Sequence, residues 1–187
     1  HHELKLTLVY VTHDQVEALT FADQVVVMTR GRAVQIGSAS DLFERPQHTF
    51  VGHFIGSPGM NFLPAERSGS GLRVAGCAVA ASGPLPAASA ALRVGIRPEY
   101  ITLAAPGAAG AVPALVTQAQ DIGTYWLVTA QVGSGAAATT VRARLSPEAA
   151  VPAAGQTVWL AVLGPHTCFY ADDRLVEAAD PNPEVSA

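Results

Sequence analysis

Charge is scarce in this 187-residue chain: only 14% of its residues are Asp, Glu, Lys or Arg, against roughly 25% in an ordinary soluble domain. Eleven basic residues face fifteen acidic ones, for a net charge of −4, and no basic block occurs. That argues against nucleic acid, whose binding draws on phosphate neutralisation. Aromatic residues reach only 6%, which argues equally against a stacking platform for single strands. The two cysteines, Cys77 and Cys168, are too few for a disulfide framework and lack metal-ligand spacing. A reducing compartment fits them, and small buried roles are expected. No apolar run approaches the ~18 residues of a membrane span, and no signal-peptide pattern opens the chain. Hydrophobic residues make up 49%, but much of this is alanine, so the core is thinner than the fraction suggests.

What is present begins with residues 6–11, an uncharged, β-favouring run. It reads as a strand covered on both faces, as in a parallel sheet with helices packed on it. His13 stands at its carboxyl end, where ligands bind in open α/β sheets. Asp14 is the expected cap of a helix over 14–22, with Glu17 in the position of its capping-box partner and Gln15 on the solvated face. A parallel strand needs crossover-linked neighbours, and little precedes this one. The chain is therefore expected to be the C-terminal portion of a longer protein. His1 and His2 are either the end of a native helix or a tag remnant, and the sequence leaves both open.

Residues 24–29 form a second β-type run that turns at Arg30-Gly31 and returns over 33–36 as a hairpin. Ser38 caps a short helix with Asp41 three residues on, and Pro46 ends it. Another short helix covers 49–55, with Gly56 as its C-terminal cap and Ser57-Pro58-Gly59 as a break. The pattern then changes. Short β-type runs recur at 60–63, 71–75, 92–96, 100–103, 114–121, 126–132, 139–145, 157–162 and 168–171, separated by Gly- and Pro-rich links. This is the signature of an antiparallel barrel or sandwich. Residues 80–91 and 104–111 read as surface loops, and the tail is expected to fray from about 178–180.

Several motifs in this order carry a family resemblance. Val11-Thr12-His13-Asp14-Gln15-Val16-Glu17-Ala18 resembles the switch-histidine segment of ATP-binding-cassette (ABC) transporter ATPases. Phe54-Ile55-Gly56-Ser57-Pro58-Gly59-Met60-Asn61-Phe62-Leu63 is similar to the junction in importer ATPases for maltose-type sugars and glycerol 3-phosphate. Val94-Gly95-Ile96-Arg97-Pro98-Glu99 resembles a motif of their C-terminal regulatory region. The resemblance implies two domains. Residues 1–56 would be the α/β end of a truncated nucleotide-binding domain. Residues 57–187 would be an all-β, oligonucleotide-binding-fold-like (TOBE) barrel for regulation and dimer contacts.

It also implies roles. His13 would contact the γ-phosphate and attacking water. Spacing alone favours a solvent-facing residue at a strand end, and the surrounding motif reverses that preference. Arg97, Pro98 and Glu99, with Gly56 and Ser57, are the regulatory or interface candidates. The rival readings are a solvated turn in which Arg97 and Glu99 point outward, and a rigid hinge at Gly56-Ser57-Pro58. The complete protein would use ATP and Mg2+. It would act as a homodimer under two transmembrane permease subunits, with a solute-binding protein, and its barrel would offer a surface to a regulatory protein. It would lie in the cytoplasm, peripheral on the inner face of the membrane. No metal site is expected in this chain.

The chain has no Gly-x-x-x-x-Gly-Lys-Ser/Thr loop, no Leu-Ser-Gly-Gly-Gln-type signature and no apolar strand ending in Asp-Glu. Without the loop's backbone donors and its Lys, ATP phosphates have no cradle. This chain alone is therefore expected neither to bind ATP tightly nor to hydrolyse it. The alternative function is a small-oxyanion-binding or purely structural barrel of another importer class. It would require backbone nests or converging Arg and Ser residues, for which Arg93, Arg97, Arg142 and Arg144 could supply charge. His48, His53 and His166 match no zinc spacing and are expected in surface or packing roles. Trp126 is expected in core or rim packing.

Overall fold

A computed structural model describes residues 7–81, 83–87 and 91–178 of the chain. His1, His2 and the tail beyond 178 lie outside the described residues, as does part of the 80–91 loop.

The first element is α1 (Gln15–Phe21). Asp14 caps it as expected, its side chain accepting from the backbone N–H groups of Val16 and Glu17. The reciprocal half of the capping box is not made. Glu17 instead accepts from Thr12 Oγ1 at 3.1 Å, and Thr12 Oγ1 accepts from the Asp14 N–H. The expected strand at its N-terminal side is also absent: residues 7–12 carry no strand, and Val9 and Val11 are 84% and 90% exposed. The physical reason is pairing. A β-branched run becomes a buried strand only where neighbours bond and cover it, and no strand among the described residues does so.

β1 (Val25–Thr29) and β2 (Arg32–Gly37) form the expected hairpin as a separate two-stranded sheet. The helices α2 (Ala39–Glu44) and α3 (Thr49–Phe54) follow. Ser38 and Asp41 make a complete capping box on α2. His48 caps α3, its Nδ1 accepting from the Phe50 N–H at 3.0 Å. Val27, Leu42, Val51 and Ile55 bury one another in a small cluster, with Leu19, Val25, Val34, Phe43 and Phe50 packed on it.

The remainder is antiparallel β-structure. Its strands are β3 (Asn61–Ser68), β4 (Gly71–Val74), β5 (Cys77–Val79), β6 (Leu92–Ile96), β7 (Thr102–Ala104), β8 (Ala111–Asp121), β9 (Trp126–Val132), β10 (Thr139–Leu145), β11 (Thr157–Ala161), β12 (Cys168–Ala171) and β13 (Arg174–Val176). Six form one sheet in the order β13-β12-β6-β3-β4-β5, and five form another in the order β10-β9-β8-β11-β7. The two face each other across one large aliphatic core in a barrel-like arrangement. Alternation produces that core: in β10, Val141, Ala143 and Leu145 point inward and Thr140 and Arg142 outward. Trp126 packs at its margin, as expected. Asn61 joins the two sheets. Its amide nitrogen donates to the carbonyls of Ile96 (3.2 Å) and Arg142 (2.9 Å), and its oxygen accepts from the Arg142 N–H at 2.8 Å. The side chain thus pairs with edge strand β10 as a strand's own peptide group would.

Candidate functional site

The predicted regulatory residues meet at the seam between the two short helices and the barrel. Arg97 follows β6 directly, and Pro98 opens a 3-10 turn over Pro98–Tyr100. The expectation of an outward-pointing Arg97 is overturned: its side chain is only 1% exposed. Nε donates to Phe43 O at 2.6 Å, Nη1 to Ile55 O at 2.5 Å and Nη2 to Leu42 O at 3.3 Å. The guanidinium also lies 3.9 Å from the centroid of the Phe43 ring. The reason lies in the helices. The last turn of a helix leaves carbonyls unpaired, and these ends attract positive charge. Leu42 and Phe43 close α2 and Ile55 caps α3, so the planar five-donor fork of one arginine serves both helix ends. Burial lowers the Arg97 pKa, and neighbouring Glu99 opposes that shift.

Glu99 does lie near the surface, and Arg144 Nη1 reaches its Oε1 at 2.7 Å. Arg144 in turn sits 3.8 Å over the Tyr125 ring. Pro98 is buried. Three of the four arginines on which the oxyanion alternative draws are engaged separately. Arg93 binds Asp173 at 3.0 Å, Arg97 binds carbonyls and Arg144 binds Glu99. These contacts take the three arginines to different partners and so supply no shared cradle for the oxyanion alternative.

Gly56 takes φ +103, and a Cβ there would meet Arg97 Nη1 at 2.9 Å. Glycine is required both by the backbone and by the space. The Ser57-Pro58 peptide is cis, and Ser57 is exposed. Residues assigned no functional role from the sequence complete the seam. The Tyr100 hydroxyl donates to Glu44 Oε1 at 2.5 Å, which pushes its pKa up to about 12. The His166 ring stacks on Tyr100 with centroids 3.8 Å apart, and its Nδ1 lies 3.4 Å from Glu44 Oε2. The buried Tyr170 hydroxyl donates to Pro46 O at 2.7 Å, and burial raises its pKa. Cys168 is buried as expected, and burial pushes its thiol up. No local pattern announces these contacts, because each joins segments more than fifty residues apart.

His13 is exposed on the bend before α1. The structure does not bring it to Arg97, but it does bring its neighbour to the seam. Gln15, expected to be solvated, is half-buried and accepts from the Gly56 N–H at 3.0 Å. The sequence holds no phosphate loop, and no group of three or more His, Cys, Asp or Glu that could hold a metal occurs among the described residues. No helix among them is long and apolar enough to cross a membrane.

Residues 94–169, from β6 to β12, match the family model of the TOBE domain. The sn-glycerol-3-phosphate import ATP-binding protein UgpC of Pectobacterium atrosepticum is 42% identical over 164 residues, which cover 86% of this chain and 44% of that protein. The UgpC of Burkholderia mallei is 41% identical over 180 residues, 91% of this chain and 48% of that protein. An ABC transporter ATP-binding protein of Sinorhizobium fredii, y4oS, is 38% identical over 165 residues, 86% of this chain and 42% of that protein. The chain spans less than half the length of these curated relatives. The chain is therefore similar over residues 94–169 to the TOBE domain and, across most of its length, to sn-glycerol-3-phosphate import and other ABC transporter ATP-binding proteins.

Proposed function

We propose that this chain serves as the regulatory C-terminal portion of an ABC importer's ATP-binding subunit. That subunit couples ATP hydrolysis to uptake of a sugar or a glycerol 3-phosphate-type solute. The observation that carries this reading is the 41% identity running over 91% of the chain to a UgpC protein. The division follows the sequence reading: residues 1–56 belong to the nucleotide-binding domain and residues 57–187 to the barrel. The complete protein uses ATP with Mg2+ and works as a homodimer on two permease subunits, with a solute-binding protein outside. It therefore lies on the cytoplasmic face of the membrane. The barrel offers a surface to a regulatory protein. His13 acts at the γ-phosphate of ATP in that complete protein, where an imidazole can donate to phosphate oxygen while its other nitrogen is held.

The test is uptake. The complete ATPase is introduced into cells lacking the ATPase of a glycerol 3-phosphate importer, and uptake of labelled sn-glycerol 3-phosphate and of maltose is followed. Restored uptake of either solute is the expected result. Unrestored uptake of both, with the protein expressed and folded, overturns the solute class. ATP turnover of the purified protein then tests the ATPase reading separately.

A further inference from the structure

We propose that Gln15 is a positioning residue, tying the His13 segment to the seam that Arg97 holds. The inference rests on the reading of His13 as the group that acts at the γ-phosphate.

α1 is poorly anchored by packing. It has no buried residue, and Val16 and Phe21 are exposed. Leu19 touches the small cluster around Val27, Leu42, Val51 and Ile55. The polar tie is Gln15, whose Oε1 accepts from the Gly56 N–H across forty-one residues of sequence. Gly56 is itself held firmly. The carbonyl before it, Ile55 O, accepts from Arg97 Nη1, and a Cβ on Gly56 would collide with the same nitrogen. Gln15 therefore ends on a peptide that cannot shift without disturbing Arg97, and Arg97 grips the end of α2 as well. Gln15 stands two positions after His13. The hydrogen bond thus fixes where the imidazole stands relative to the barrel, and it offers a direct route between barrel and switch segment.

A positioning role makes a distinctive kinetic signature. If His13 acts in the transition state, loosening its segment lowers kcat and leaves the KM for ATP unchanged. A single hydrogen bond lost corresponds to a change of up to about tenfold. Gln15→Leu keeps the bulk and removes the acceptor, whereas Gln15→Glu keeps an acceptor oxygen. Both are compared with His13→Ala in the complete ATPase, and amide exchange of Gly56 is measured in this chain. The expected result is a kcat about tenfold lower for Gln15→Leu at constant KM, with recovery to within about twofold in Gln15→Glu. Gly56 exchange should quicken in the Leu variant and not in the Glu variant. Wild-type turnover in Gln15→Leu, with His13→Ala inactive, overturns the positioning role and leaves the His13 reading intact. Equal losses in the Leu and Glu variants also overturn it. Wild-type turnover in His13→Ala overturns the His13 reading itself.

Discussion

Arg97 shows how one side chain holds two elements together. Its charge is buried without a carboxylate in hydrogen-bonding reach, and three carbonyls take the place of one. A buried charge is costly unless its donors are matched, so replacement by an apolar residue relieves desolvation but orphans the carbonyls. Orphaning is the larger effect, at about 1–3 kcal/mol per buried acceptor. Arg97→Met should therefore lower stability by about 2–3 kcal/mol net, read from the urea midpoint. Arg97→Lys should recover only part, because an ammonium lacks the planar fork. A Met variant within about 0.5 kcal/mol of wild type contradicts this account. His53 supplies a second residue-scale prediction. Its ring lies 4.5 Å from that of Phe62, and burial, then Arg93, lower its pKa below the ordinary 6.5. The folded state thus binds fewer protons than the unfolded state between the folded pKa and 6.5. Stability should be undiminished above 6.5, fall as pH drops through that window, and level off below the folded pKa. Thermal melts of wild type and His53→Gln across that range test the sign: the variant should lose this component of the acid sensitivity.

At the scale of elements, the joint between the two sheets is the most exacting contact. Asn61 makes three hydrogen bonds to backbone groups, two of them on edge strand β10. Asn61→Leu, matched in branching and heavy-atom count, should cost about 2–3 kcal/mol and speed exchange of the Arg142 amide, because one buried and two part-buried backbone groups lose this partner. An unchanged Arg142 exchange rate contradicts the clasp. Nine of the eleven barrel strands were legible, since period-two alternation is local: Val141, Ala143 and Leu145 mark the inner face of β10 unaided, whereas the three-residue β5 and β13 are too short to show it. The caps at Asp14 and Ser38 were legible for the same reason, as each spans three residues. What stayed hidden was tertiary. Arg97 reads as a turn residue until Leu42, Phe43 and Ile55 are brought to it, and Gln15 reads as solvated until Gly56 arrives. The run over 7–11 failed differently. Its composition reports a preference for burial, and burial depends on neighbours that composition does not contain.

For the whole molecule, the governing contrast is between a well-filled barrel and an exposed, lightly packed segment around His13. The barrel core is continuous across both sheets, whereas His13 stands exposed on a short, lightly packed segment. Micromolar binding requires about 8 kcal/mol. Nucleotide sites reach it through a loop of backbone donors, a lysine and a metal acting together on the phosphates. This sequence has no such loop, and a single exposed imidazole is worth no more than a surface ion pair, about 0–1 kcal/mol. Titration calorimetry of this chain with MgATP should therefore give no micromolar binding and no phosphate release. A dissociation constant in the micromolar range would mean that the barrel or the seam holds a nucleotide by contacts of its own. His13→Ala would separate that case further: binding unaffected by the substitution would place the nucleotide away from the switch segment.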